Sequence, residues 1–296
     1  MPNFNTRPHA QALILLFIAM ISMQSSGSLA KILFGQFSVL TVSVMRLLLG
    51  ALILALLFKI WQINFRQVNW KAIISYGGAL AGMNALFYLS LDRLPLGIAV
   101  SFEFIGPLSV ALYHARQKFD FVWVGLAVAG LALLFPFDQA AQQLDPLGIL
   151  FALSAGACWA LYIVSGQKPS GVSGNHTVCL GMFVGMLCLM PVALFSGMTA
   201  AVFEPENLAY FLALAVIASA LPFSLEMIAL RSLSPLIFGT LTSLEPAIAA
   251  LSGFVFLNEQ LLWTQWLALA VIISASIGCT FTTQRAKKLA EEKLRQ

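Results

Sequence analysis

Apolar residues fill this chain in ten long blocks, and polar residues are confined to short stretches between them. The blocks lie near residues 11–31, 39–58, 70–91, 97–115, 121–136, 147–166, 176–196, 208–230, 235–257 and 263–283. Each approaches the ~20 residues that a helix needs to cross the hydrocarbon of a bilayer. A helix satisfies its own backbone polar groups, which lipid cannot do, so the pattern predicts an all-α integral membrane protein with ten transmembrane helices. The longest connections, Lys59–Asn69, Phe137–Pro146 and Gly197–Asn207, leave no room for a separate folded unit. Ser28-Leu29-Ala30 has the small residues of a signal-peptidase site. Even so, the first block is long for a signal-peptide core, and its LLFIAMISMQSSGSLAK is similar to LFALSAGACWALYIVSG after Asp145, so it is read as a retained span.

Two blocks carry a carboxylate and a proline at their middle. LSPLIFGTLTSLEPAIAALSGFVFLNE holds Glu245 and Pro246, and LPLGIAVSFEFIGPLSVAL holds Glu103 and Pro107. Proline lacks an N–H and clashes with the carbonyl four residues back, so Pro107 and Pro246 predict interruptions at Glu103 and Thr242. A frame shift of 139 residues brings Leu91 onto Leu230, Leu94 onto Leu233, Pro107 onto Pro246 and Asp120 onto Glu259. The chain therefore reads as two repeats, residues 1–137 and 138–283, followed by a basic tail over 284–296. Interrupted helices at matching places in two halves are a pointer to a transporter's central site.

Lys and Arg fix the expected orientation. Arg7, Lys59, Arg66, Lys71, Arg116, Lys118, Lys168, Arg231 and the tail residues Arg285, Lys287, Lys288, Lys293 and Arg295 fall on one side, and only Lys31 and Arg93 on the other. Both termini are thus expected in the cytoplasm. Five spans per repeat is an odd number, so the second repeat enters from the opposite face and the two are inverted. Inverted repeats around a midplane site are the geometry of alternating access.

Composition agrees. Over 296 residues, 60% are hydrophobic and 9% charged, with a mean hydropathy of +0.90, far from the ~25% charge of a soluble domain. The net charge of +4 lies in loops and tail, without the groove or stacking aromatics of a nucleic-acid binder. Cys158, Cys179, Cys188 and Cys279 all fall in apolar blocks without CxxC spacing, so no metal and no cofactor is expected. His9, His114 and His176 lie near block ends and form no catalytic or HExxH pattern. No nucleophile–base set appears, and an enzyme is not expected.

The candidate site residues follow from polarity inside spans. Glu245 is the first choice for a carboxyl that loads and releases protons as a cavity alternates between sides; a structural acid bridging helices is the alternative. Arg46 and Glu103 lie ~10 and ~9 Å from the outer ends of their spans at 1.5 Å per residue, so they can meet. Either they form a buried pair that fixes two helices, or Arg46 takes a substrate carboxylate and Glu103 its ammonium. Glu226 near the end of the eighth block reaches the interface or serves as a gate, with Pro222 bending its helix at Ala218. Gln24, Ser25, Ser26, Ser28 and Asn84 offer uncharged hydrogen bonds to a substrate or to neighbouring helices. Trp159 and Tyr162 either wall a cavity or pack. Gly77, Gly78, Gly82, Gly181 and Gly185 read as surfaces for close helix contact.

The string ALRSLSPLIFGTLTSLEPAIAALSGFVFLNE resembles the second-repeat signature of the EamA-type drug/metabolite transporter superfamily. Together with YLSLDRLPLGIAVSFEFIGPLSVAL, DFVWVGLAVAG, AGACWALYIVSGQ and LPFSLEMIALRSL, it is similar to the threonine- and homoserine-exporting branch of that superfamily, along nearly the whole chain. The resemblance implies ten transmembrane helices in two inverted five-helix repeats around a central cavity, in a bacterial inner membrane. It implies export of small amino acids in exchange for protons, by one copy or a homo-oligomer. An exporter of another metabolite or drug, and a passive facilitator, are the other readings. The loops around Gly171 and Thr199 and the tail depart from the pattern.

Overall fold

The computed structural model describes residues 7–26, 29, 33–94, 96–134, 144–248, 251 and 262–293, and every regular element among them is helical. The helices are α1 (Arg7–Ser25), α2 (Val39–Leu57), α3 (Trp70–Leu91), α4 (Leu96–Glu103), α5 (Ile105–His114), α6 (Lys118–Leu134), α7 (Pro146–Gly166), α8 (Gly174–Phe195), α9 (Pro205–Ala215), α10 (Leu221–Ser232), α11 (Pro235–Thr242) and α12 (Trp263–Lys293). Six of these stretches are long and apolar enough to cross a membrane, α9 and α10 counting as one 28-residue span. Two shorter apolar helices cover Ala10–Ser25 and Ile98–His114. The polar stretch after Thr283 continues α12 as far as Lys293. Ser28, Lys31, Asp138 and Glu259, and most of the ninth block beyond Ile248, lie outside the described residues.

Helix starts are set by short polar side chains. Ser38 accepts from the Thr41 amide, Ser173 from that of His176, and Ser234 from that of Ile237, with Pro235 in the first turn where its missing N–H costs nothing. Asp145 caps α7 through the Leu147 amide at 2.8 Å and also takes the Arg93 guanidinium at 2.7 Å. This exposed pair ties the turn after α3 to the start of α7.

The two predicted interruptions are present. Helix stops after Glu103 and after Thr242, each time at one residue outside the helix, and then resumes. Those residues, Phe104 (φ −64°, ψ −14°) and Ser243 (φ −62°, ψ −11°), share a backbone conformation and stand in the register that relates Pro107 to Pro246. At the second break, Thr242 and Ser243 turn their hydroxyls onto the Gly239 and Thr240 carbonyls at 3.0 and 2.6 Å.

Pro222 also acts as expected on Ala218, but by a route the pattern did not announce. Residues Val216–Ala220 form a π-helical turn in which the Leu221 amide bonds to the Val216 carbonyl. The wider turn absorbs the bond that proline cannot make, and Ser22 on α1 donates to the Ile217 carbonyl at 2.7 Å.

The helices pack as α3 on α7, α1 on α10, α2 on α8, α5 on α11 and α6 on α12. One apolar core runs through both halves, from Leu16 and Val44 through Tyr76 and Phe104 to Phe223, Phe238 and Ile272. Close crossings rest on glycine. Gly77 lies against the Gly181 main chain and Gly82 against Cys158, whereas Gly78 faces open space. The tightest crossing is at the first break. A Cβ on Gly106 would strike the Gly156 carbonyl, and one on Gly156 would sit 2.5 Å from the Glu103 carbonyl.

Two expectations follow. Gly156→Ala must displace backbone, so it should cost about 1–3 kcal/mol and lower Tm in detergent, while Gly78→Ala, with nothing within 4 Å, should not; equal melting of the two would contradict this packing. The Arg93 hydrogen bond, and then the Leu147 amide, hold the Asp145 carboxyl below its ordinary value of 3.8. A depressed folded value contributes stability above the unfolded value, and this is lost as pH falls through the folded one. The small Tm deficit of Arg93→Ala should therefore be present at neutral pH and close as the pH drops well below 3.8. A deficit independent of pH would show that the ion pair is not its cause.

Candidate functional site

Between the ends of the bundle lies a set of buried polar and charged side chains: Arg46, Asn84, Glu103, Glu226 and Glu245, each less than a tenth exposed. α2 brings Arg46, α3 brings Asn84, the first break brings Glu103, α10 brings Glu226 and the second break brings Glu245.

Arg46 does not pair with Glu103, as the depth argument allowed. Its Nη2 donates to the Asn84 side-chain oxygen, and Asn84 is held in turn by its own amide on the Leu80 carbonyl at 2.8 Å. The reason is rotational. Glu103 sits where the interrupted helix crosses α7, within electrostatic reach of Cys158 and with its carbonyl against Gly156, whereas Arg46 faces α3. Among the described residues the one ion pair is Arg93–Asp145. Arg46 keeps its Nε–H buried with no partner there, and Glu245 likewise keeps Oε1. An unsatisfied buried polar atom is costly, and Arg46 and Glu245 each keep one inside the bundle.

Gln24 joins the second break to α1, donating to the Glu245 carbonyl at 3.2 Å. Ser25 and Ser26 bond back to the Ile21 and Met23 carbonyls, the helix-local alternative. Thr242 is fully buried and takes its place through the bond to Gly239. Trp159 packs edge-on to Phe104 with ring centroids 4.8 Å apart, so it buttresses the first break from α7.

Glu226 is the larger correction. The interface-reaching alternative fails, because this carboxylate is buried and accepts from the Tyr162 hydroxyl at 2.9 Å. The Tyr162 ring stacks on Tyr76 at 4.9 Å, and both are fully buried. A phenol on α7 supplies the donor that lets a carboxylate near a helix end turn inward. Glu226 and Glu103 both lie close enough to Glu245 for their charges to act on it.

Beyond this layer, one end of the bundle is closed by polar contacts between loops. Arg231 reaches Ser170 and Thr177 at 2.9 Å each, Gln167 donates to the Leu230 carbonyl at 3.1 Å, and His176 meets the Phe58 carbonyl at 2.9 Å. The Asn69 amide bonds to Ser170 at 2.8 Å. Sequence reasoning did not single out Arg231, Gln167, Ser170 or Thr177 as contributors. Their signal was weak, since each is polar at a helix end or loop and differs in no local pattern from a solvated residue. An apolar groove of about 560 Å³ between α5 and α6, floored by Ile105, Leu108 and Val128, is open to the outside and offers no charged side chain. Among the described residues no cluster of His, Cys, Asp and Glu could hold a metal.

The chain is similar to known proteins over most of its length. A model of the EamA-like transporter family matches residues 146–281. The threonine/homoserine exporter RhtA of Escherichia coli (strain K12) is 46% identical over 280 residues, covering 94% of each chain. That of Salmonella typhimurium (strain LT2) is 46% identical over 279 residues with the same coverage. Protein PecM of Dickeya dadantii is 27% identical over 242 residues, 78% of this chain and 82% of that one. A solved crystal structure of 16% identity superposes with a TM-score of 0.76, covering 94% of this chain and 99% of the other, which speaks to the fold alone.

Proposed function

The chain belongs to the EamA-like transporter family, and from that premise we propose that it exports small amino acids, threonine and homoserine among them, in exchange for protons. It is a multi-pass membrane transporter and not an enzyme. The substrate reading rests on the two exporters that are 46% identical over 94% of the chain. The observation that supports the mechanism is that two buried charged side chains of opposite sign each keep an unsatisfied atom inside an apolar bundle, Arg46 its Nε–H and Glu245 its Oε1. A zwitterion presents one carboxylate and one ammonium. Arg46 is suited to the first through charge-assisted hydrogen bonds, and Glu103 or Glu245 to the second. The proton competes with the ammonium for the same carboxylate, so loading one releases the other, and this is the basis of exchange.

Alternating access is the motion proposed for that site, in ten helices forming two inverted five-helix repeats. Support comes from breaks of the same conformation at Phe104 and Ser243, and from pairings that a two-fold exchange of halves preserves. In that exchange α3 on α7 becomes α10 on α1, while α2–α8, α5–α11 and α6–α12 map onto themselves. The family match over 146–281 lies within the second of the two repeats. The loops tied by Asn69–Ser170 and Arg231–Thr177 carry Lys71, Lys168 and Arg231, so this end is assigned to the cytoplasm, with both termini, under the positive-inside rule. The apolar groove beside α5 favours no amino-acid substrate, for want of a charge.

Purified protein in sealed liposomes tests this with labelled threonine and homoserine under an imposed pH gradient. Threonine should move against its own gradient while the proton gradient lasts. Arg46→Ala should raise the half-saturating concentration about 10- to 100-fold, and Glu245→Gln should lose uphill movement while remaining folded. Flux in the wild type that ignores the proton gradient would leave facilitated diffusion instead, and failure to bind either amino acid would overturn the substrate.

A further inference from the structure

Glu226 is buried in surroundings that differ from those of Arg46 and Glu245. Its Oε2 accepts from Tyr162, whose ring is stacked on Tyr76 and flanked by Phe223 at 6.3 Å, so rings from α3, α7 and α10 cover it. The Tyr76 hydroxyl is buried with no partner among the described residues. A few residues further along α10, Arg231 leaves the apolar layer for Ser170 and Thr177, at the mouth of the bundle. The carboxylate therefore lies one aromatic layer below an aqueous end, and the loops that close that end are anchored on its own helix.

The other titratable or charged groups near it are few. Tyr162 faces it from α7 and Tyr76 from α3, Arg231 stands on its own helix, and its own charge reaches Glu245 at the second break. On α8, Cys179 is engaged with the Ala51 carbonyl and His176 with Ser173 and Phe58. α1 from Ala10 to Ser25 and α11 present no titratable side chain.

Resting on the antiport reading, we propose that Glu226 is a second proton-exchanging carboxylate of the transport cycle, serving the Arg231 end, and that the Tyr162 hydroxyl is the group that positions it. A proton from the aqueous side adds to Oε2 and converts the carboxylate to a neutral acid. The charge-assisted bond from Tyr162, the hydrogen bond between α7 and α10 at this level, then loses its charged acceptor, and the tie between the helices weakens. Release of the same proton restores it. The charge of Glu226 reaches Glu245, which links the state of this end to that of the second break. Proton binding at one level is thereby coupled to opening at another, as alternating access requires.

The test uses the full chain in liposomes, with threonine flux and proton flux measured together as a function of pH for the wild type, Tyr162→Phe and Glu226→Gln. Tyr162→Phe should move the pH of half-maximal coupled flux by about one unit, the scale of one hydrogen bond to a charged group. Glu226→Gln should carry fewer protons per threonine than the wild type while still binding threonine. A coupled wild type in which Tyr162→Phe leaves the profile in place, and Glu226→Gln keeps the wild-type ratio, would make Glu226 a purely structural acid. A wild type that moves no protons with threonine would overturn the antiport reading itself, and the role of Glu226 with it. Should Glu226→Gln fail to fold, the displacement in Tyr162→Phe decides the matter alone.

Discussion

Hydrocarbon offers no hydrogen bond, so each backbone or side-chain polar group placed in it must be met from within the protein. Most of this chain meets that demand with plain helix. Among the described residues, regular helix is left at the break at Phe104, the break at Ser243 and the π turn before Pro222. Buried carboxylates lie beside the exceptions. Glu103 ends one interrupted helix, Glu245 follows the other break by two residues, and the π turn leads into the helix that carries Glu226. Irregular backbone is tolerated at membrane depth where protein lines a cavity, and here the irregularities are held by neighbours: Gly156 against the first break, Gln24 on the Glu245 carbonyl, and Ser22 on the π turn.

The buried groups divide into levels along the bundle. Arg93 and Asp145 pair at one end. Arg46 with Asn84, and the two breaks with their carboxylates, occupy the interior. Tyr76, Tyr162 and Glu226 form the next level, and Arg231 with Ser170 and Thr177 closes the other end. Among the described residues, charged side chains of both signs keep unsatisfied buried atoms only in the interior level, at Arg46 and Glu245. In the proposed function a zwitterionic substrate meets those two atoms.

Depth was legible in the sequence because it is linear in residue number. The positions of Glu103, Glu245, Pro107 and Pro246 in their blocks gave the breaks and the buried carboxylates correctly, and the 139-residue register between the halves recurs in the matching dihedrals of Phe104 and Ser243. Rotation about the helix axis was not legible. Arg46 and Glu103 stand at like depth, yet Arg46 meets Asn84, because the Gly106–Gly156 crossing turns Glu103 toward α7. Glu226 was open to a solvated reading because four or five residues from a helix end permit either direction, and a tyrosine 64 residues away decided it. Pro222 announced a disturbance but not the π turn that resolves it, since that choice depends on Ser22 from another helix.

The central claim is that the interior level, between the two breaks, is where substrate binds. A structure of the protein determined with threonine bound tests it most directly. The account predicts density for the amino acid in the interior, its carboxylate on Arg46 and its ammonium on Glu103 or Glu245. Threonine found only among the loops around Gln167 and Arg231, with Arg46 still engaged solely by Asn84, would contradict it.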